Sequence, residues 1–300
     1  MHTTRPSVFR LITALFLSAL FFVGCGGDPA PQPGSTAAPQ PANGGTSGSA
    51  SPAGARDNSN RAVIAESMPY AEVGDQLVYG YFVAPSDMFE PLPAVIMIHE
   101  WWGLNDNIRS AADRLAAAGY IVLAIDLFAG ETATTPSAAR KLMLTVVEDP
   151  ELANQNIRGA FDFVSKTAGA PSVAAMGWRF GGSWALNSAM LLPDELDASI
   201  FYYAQVTDDE ERLQPITAPL LGLFAEDDIS VKVESVAAFE TALQRLRKDY
   251  EIRIYEGVRQ GFANEAADNY DAAAANDAWN RALNFLQRHL ASEPADADAS

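Results

Sequence analysis

Cysteine is nearly missing from this chain: Cys25 is the only one in 300 residues. No intramolecular disulfide can form, so the folded part must rely on its apolar core. No thiol remains after residue 25 to act as a nucleophile. Histidine is also scarce, with three in the chain, of which only His99 and His289 follow the N-terminal segment. No metal-ligand cluster and no nucleotide-binding fingerprint appears, so neither a metal nor a cofactor is expected. Positive charge is in deficit, with 20 Lys and Arg against 38 Asp and Glu and a formal net charge of −18. That balance argues against nucleic acid as a partner and against peripheral binding to an anionic lipid surface.

A long apolar run is absent too. Leu11 to Val23, which holds Leu15, Phe16, Phe21 and Phe22, is shorter than a membrane-spanning helix needs. It follows a basic start with Arg5 and Arg10 and precedes Gly24-Cys25. A basic start, a short apolar core and a small residue before the cut describe a secretory signal over residues 1–24. Phe22-Val23-Gly24-Cys25 resembles a bacterial lipobox, in which the cysteine becomes the lipidated first residue. The resemblance implies export and a lipid anchor at Cys25 that holds the protein to a bilayer, with the periplasmic side expected. An ordinary signal peptide with an incidental cysteine, or a retained anchor, is the alternative.

Residues 25–60 are mostly Gly, Pro, Ala, Ser, Gln and Asn. Such a stretch buries too little surface to offset its backbone entropy and reads as a flexible tether. Residues 292–300, with Glu293, Asp296 and Asp298, read as an acidic tail. Between them, residues 61–291 suit one α/β domain.

Within that domain, strand-like runs alternate with helical patterns, which predicts a mainly parallel sheet with helices on both faces. Gln76 to Ala84 alternates after a Gly74-Asp75 turn and is expected as an antiparallel edge strand. Ala94 to Ile98 and Tyr120 to Ile125 are solid apolar runs, the sign of strands buried on both faces. Asn105 or Asp106 is positioned to cap a helix that Gly119 stops, and Thr135-Pro136 and Asp149-Pro150 each open another with an N-cap followed by proline. Ser172 to Met176 is a strand running into a bend at Gly177-Trp178-Arg179-Phe180-Gly181-Gly182, and a helix follows. Further strands are expected at Ser199–Tyr203, Leu220–Phe224 and Glu251–Tyr255. A helix over Val233–Leu246 and a final one carrying Trp279, Leu283, Leu286 and Leu290 complete the pattern.

The bend has the glycine frame of a nucleophile elbow, where neighbouring glycines relieve crowding at a strained backbone. With it stands His99-Glu100-Trp101-Trp102-Gly103-Leu104-Asn105-Asp106-Asn107-Ile108-Arg109, which resembles the signature loop of the dienelactone hydrolase family. The resemblance spans about Tyr70 to Leu290, with its motifs in family order. It implies an α/β-hydrolase fold, hydrolysis of lactone or ester bonds, and four functional corners. Glu100 matches the family glutamate, Arg179 the cysteine nucleophile, Asp228 the aspartate that orients the histidine, and Gln260 the histidine itself. Asp227 is the neighbouring alternative to Asp228. The backbone amides of Trp101 and Phe180 match the oxyanion-hole donors, and Asn264 stands where some members carry a substrate-binding arginine.

Two corners depart from the pattern. Arginine stays protonated and offers no lone pair to a carbonyl, and glutamine is not a useful base. Removing one triad member leaves roughly 10³–10⁴-fold assistance from the oxyanion hole and binding, and here two are replaced. Two function classes follow: a non-catalytic, membrane-tethered binding protein, or an ester or lactone hydrolase that uses other residues. For the second, Ser183 in Gly181-Gly182-Ser183-Trp184-Ala185, served by His99, is the available pair. For the first, Arg179 is expected either to form a forked pair with Glu100 or to enter the cleft and hold a small carboxylate or ester ligand. Trp101, Trp102, Phe128 and Tyr203 are the expected apolar walls of that pocket, with core packing as their alternative role.

Overall fold

The computed structural model describes residues 61–291. The expected signal segment, the lipidation site Cys25, the tether and the acidic tail lie outside these residues. Eight strands form one sheet in the order β1-β2-β4-β3-β5-β6-β7-β8. The strands are β1 Val63–Val73, β2 Gln76–Pro85, β3 Ala94–Ile98, β4 Ile121–Ile125, β5 Val173–Trp178, β6 Ala198–Tyr202, β7 Leu220–Ala225 and β8 Tyr250–Tyr255. From β4 to β8 every neighbouring pair is parallel. β2 joins β4 antiparallel, and β1 folds back on β2 in a hairpin.

β1 is the element that sequence reading missed, and it moves β2 from the edge to an interior place. Pro69 hides it, because proline removes a ladder donor and argues against a strand. The register shifts between Pro69 and Ala71, so the proline sits at a bulge on an edge strand, where the missing N–H is tolerated.

Burial explains the central apolar runs. Every residue of β3, β4, β5, β6 and β7 is buried, as expected of strands covered on both faces. The covering helices are α1 Asp106–Ala117, α2 Pro136–Glu148, α3 Pro150–Asp162, α4 Phe180–Leu191, the single turn α5 Glu210–Leu213, α6 Val233–Arg245 and α7 Ala272–Leu290. Asn105 caps α1, accepting from the Ile108 N–H at 3.2 Å, and Gly119 ends it at φ 106°. Thr135 caps α2 through the Ala138 N–H. Asp149 precedes Pro150 but makes no side-chain cap bond, a difference from the sequence reading.

The buried side chains form one apolar cluster on each face of the sheet. β3 lies between β4 and β5, so chain direction across the sheet reverses at its C-terminal end. Open α/β sheets bind ligands at such a switch point.

Candidate functional site

The elbow is built by close backbone approach. A Cβ on Gly177 would lie 2.3 Å from the Gly181 carbonyl oxygen, and one on Gly181 would lie 2.2 Å from that of Ile98. Only glycine at both positions lets β5 turn into α4 while that turn presses against the end of β3. Arg179, at the apex, takes φ 50° and ψ −110°, a region that non-glycine residues rarely enter. Its N–H is held by the Tyr202 carbonyl at 2.9 Å. The strained geometry of a nucleophile elbow is therefore retained around a side chain that is not a nucleophile.

Arg179 does not pair with Glu100. Its guanidinium carbon lies 4.2 Å from the centre of the Trp101 ring, a cation–π arrangement. Among the described residues, no salt bridge joins Arg179 to a carboxylate. Glu100 is instead held by Asn264, whose Nδ2 donates to Oε2 at 2.7 Å. The forked pair expected from sequence is corrected accordingly: an amide satisfies the buried carboxyl without a second charge, while a flat indole face receives the guanidinium. Burial pushes the Glu100 carboxyl above its usual range; the Asn264 bond and the nearby Arg179 and His99 oppose that shift without cancelling it.

At the third corner Gln260 Nε2 donates to Asp228 Oδ2 at 2.9 Å. The other Asp228 oxygen accepts from the N–H groups of Ser230 and Val231 at 2.7 and 3.0 Å. Asp228 is buried and Asp227 is exposed, so Asp228 is the carboxylate that faces residue 260. The Asp228–Gln260 bond thus links the two positions where an orienting aspartate and its histidine would stand, with an amide that has no basic nitrogen.

Phe180 directly follows Arg179 in the elbow, and Trp101 lies in the loop after β3. Phe180 opens α4, so its N–H projects from the helix start. Among the described residues, neither N–H bonds a backbone carbonyl. Both N–H groups are therefore free of backbone partners at the two positions that match the oxyanion-hole donors.

The substitute pair Ser183 and His99 is not assembled. Ser183 Oγ lies 3.3 Å from the Arg179 carbonyl, to which it donates, and accepts from the Gln205 N–H at 3.0 Å. His99 is fully buried; its Nε2 accepts from the Leu127 N–H at 3.0 Å, which leaves Nδ1 to donate to the Glu100 carbonyl at 2.6 Å. Both ring nitrogens are engaged, and the ring packs tilted against Phe128 and nearly parallel to Phe180. His289 lies against Phe285 on α7.

A cavity of about 250 Å³ opens beside Glu100. Tyr203 is in its wall, whereas Trp102 and Phe128 are not. Trp102 packs edge-on to Trp101, and Phe128 belongs to the buried cluster around His99. The remaining walls come from α1, the ends of β5 and β6, the loop after β8 and α7, including Trp178, Asn264 and Trp279. These contributions were invisible in sequence, because no local pattern links residue 107 to residue 276.

A parallel sheet flanked by helices, with a strand–elbow–helix bend and a carboxylate after β7, defines an α/β-hydrolase fold. The Dienelactone hydrolase family profile matches residues 78–290, and the chain belongs to that family. It is 31% identical over 235 residues to a Saccharolobus solfataricus protein provisionally named carboxymethylenebutenolidase, covering 66% of this chain and 90% of that one. It is 30% identical over 205 residues to Protein usf of Aquifex pyrophilus, covering 66% and 89%. Among solved structures, a dienelactone hydrolase-like promiscuous phosphotriesterase from metagenomic libraries, P91, superposes with a TM-score of 0.69 at 22% identity, covering 77% of this chain and all of that one. At that identity the likeness is one of fold.

Proposed function

We propose that this chain is a non-catalytic member of the dienelactone hydrolase family, exported and anchored to a membrane through Cys25, which binds a small carboxylate at Arg179. The observation that carries this reading is the guanidinium at the elbow, lying on the Trp101 ring and joined to no carboxylate among the described residues. A cation attracts an anion, and a carboxylate has the shape a guanidinium fork accepts. No electron pair is available there for attack on a carbonyl. Gln260 adds support: its Nε2 donates to Asp228 as an orienting bond would, but the amide has no second, basic nitrogen to take a proton from a nucleophile. The engaged Ser183 and His99 supply no replacement.

Hydrolysis of a generic aryl ester is the direct test. The unmodified protein is expected to match the buffer rate, and the double replacement Arg179→Cys with Gln260→His is expected to gain turnover. Turnover by the unmodified protein at rates typical of enzymes would establish an active hydrolase instead. Calorimetric titration with benzoate tests the ligand arm: Arg179→Ala is expected to weaken binding by roughly 10–100-fold, the range of a charge-assisted bond. Equal affinity of the two proteins would remove Arg179 from the site.

A further inference from the structure

We propose that Asn264 is a positioning residue that keeps the carboxylate seat at Arg179 open, by holding Glu100 so that this carboxyl does not occupy the guanidinium itself. The inference rests on the carboxylate reading of Arg179 and names what keeps the seat free.

An arginine and a buried carboxylate in one site ordinarily pair, because a guanidinium fork and a carboxylate match in shape and charge. Glu100 is next in the chain to Trp101, whose ring carries the guanidinium 4.2 Å from its centre. The two charges feel each other, since Arg179 opposes the upward shift that burial gives the Glu100 carboxyl. Yet no salt bridge joins them among the described residues. The Nδ2 of Asn264 donates to Glu100 Oε2 at 2.7 Å instead.

The grip of Asn264 is fixed by its own surroundings. Its Oδ1 accepts from the Ala266 N–H at 2.9 Å, the bond of an Asx turn. The amide therefore cannot turn over, because its oxygen already has a donor and only the NH2 is left to face Glu100. The backbone is held as well: the Asn264 N–H donates to the Gly261 carbonyl at 2.9 Å, and the Asn264 carbonyl accepts from the Ala267 N–H at 3.0 Å. A residue clamped at these points presents its donor at one place.

The neutrality of that donor decides the outcome. A cation at residue 264 would also satisfy Glu100 but would add a second positive charge to the site. An apolar residue would strip the buried carboxyl of its amide, and the guanidinium would become the available donor. Gln260 acts in the same sense on Asp228, donating to Oδ2 at 2.9 Å while the Ser230 and Val231 N–H groups fill Oδ1. Each buried carboxylate thus has a neutral donor. The Arg179 guanidinium rests on a π-face, which engages its charge and leaves its N–H donors for a ligand.

Crystal structures and benzoate calorimetry of the full-length protein test this. Asn264→Ser keeps a hydroxyl for the Ala266 N–H and lacks the atom that reaches Glu100; Asn264→Ala repeats the measurement without the turn bond. In ligand-free crystals of either variant, a guanidinium nitrogen is expected within hydrogen-bond distance of Glu100 and away from Trp101. Benzoate affinity is expected to fall roughly 10–100-fold. Adding Glu100→Gln to Asn264→Ser is expected to recover most of that loss. The recovery is expected to exceed the gain that Glu100→Gln gives the parent, which separates competition for Arg179 from the mere removal of a nearby charge. A guanidinium still on Trp101 in the ligand-free variants would overturn the proposal. So would benzoate affinity that Asn264→Ser leaves unchanged while Arg179→Ala lowers it, or a recovery no larger than the gain in the parent. If benzoate binds the parent and Arg179→Ala equally, the carboxylate reading fails, and the variant crystals still decide what Asn264 does.

Discussion

Tyr203→Phe in the ligand-free protein is expected to increase stability, an unusual direction for a change in a core. The phenol ring packs against Phe262 and Tyr202 at centroid distances of 5.4 and 6.2 Å, and phenylalanine keeps both contacts. Only the hydroxyl is removed, and it has no partner to lose. A buried unsatisfied polar group costs about 1–3 kcal/mol, so removal is expected to add about 1–2 kcal/mol to the unfolding free energy. For a domain of this size each kcal/mol moves the melting temperature by about 2–4 °C, which places the expected rise at about 2–8 °C. The adjacent Tyr202 provides the internal control, since its hydroxyl donates to the Ala278 carbonyl at 3.3 Å. Tyr202→Phe is expected to lower stability by about 1 kcal/mol, the worth of a typical hydrogen bond. Urea unfolding followed by tryptophan fluorescence, with unchanged m-values, compares the two. If Tyr203→Phe is less stable than the parent, the hydroxyl is paired in solution and the argument for an orphan loses its basis.

Glu100 makes stability depend on pH in a defined direction. Its folded-state pKa is raised above the ordinary carboxyl value of about 4.5, chiefly by burial. The native state therefore binds a proton more readily than the unfolded state, and stability falls as pH rises from about 4.5 through the folded pKa. Glu100→Gln is expected to remove that component, so the stability difference, parent minus variant, should decline across that window in pH-dependent urea melts; a flat or rising difference contradicts it. Cys25→Ser is expected to move the expressed protein from the membrane pellet to the soluble fraction and to abolish lipid labelling. Retention of both in the variant would reject the anchor.

Much of the architecture was legible because it rests on local patterns. The solid apolar runs at Ala94–Ile98 and Tyr120–Ile125 identified strands buried on two faces, and the Gly177 and Gly181 spacing identified the elbow. β1 was not legible, because Pro69 breaks the pattern of a strand and only the bulge it occupies accommodates it. The site divided similarly. Asp228 and Gln260, predicted as partners, are joined by a hydrogen bond. A charge pair with Glu100 was one of the two expectations for Arg179, yet each has a different neighbour, Trp101 for one and Asn264 for the other. Opposite charge in a sequence says which pairs are favourable, whereas side-chain direction at a strained apex decides which pairs form.

The chain's own letters determine the family, the order of its elements and the chemical incapacity of positions 179 and 260, since an arginine has no lone pair to give in any fold. They also determine that no thiol stands in the domain. Tertiary structure alone decided where the guanidinium rests, that both nitrogens of His99 are occupied, and that the Tyr203 hydroxyl is buried without a partner. These depend on side chains brought together from α1, the elbow, the loop after β8 and α7, and through-space proximity between distant segments leaves no periodic trace along a polypeptide.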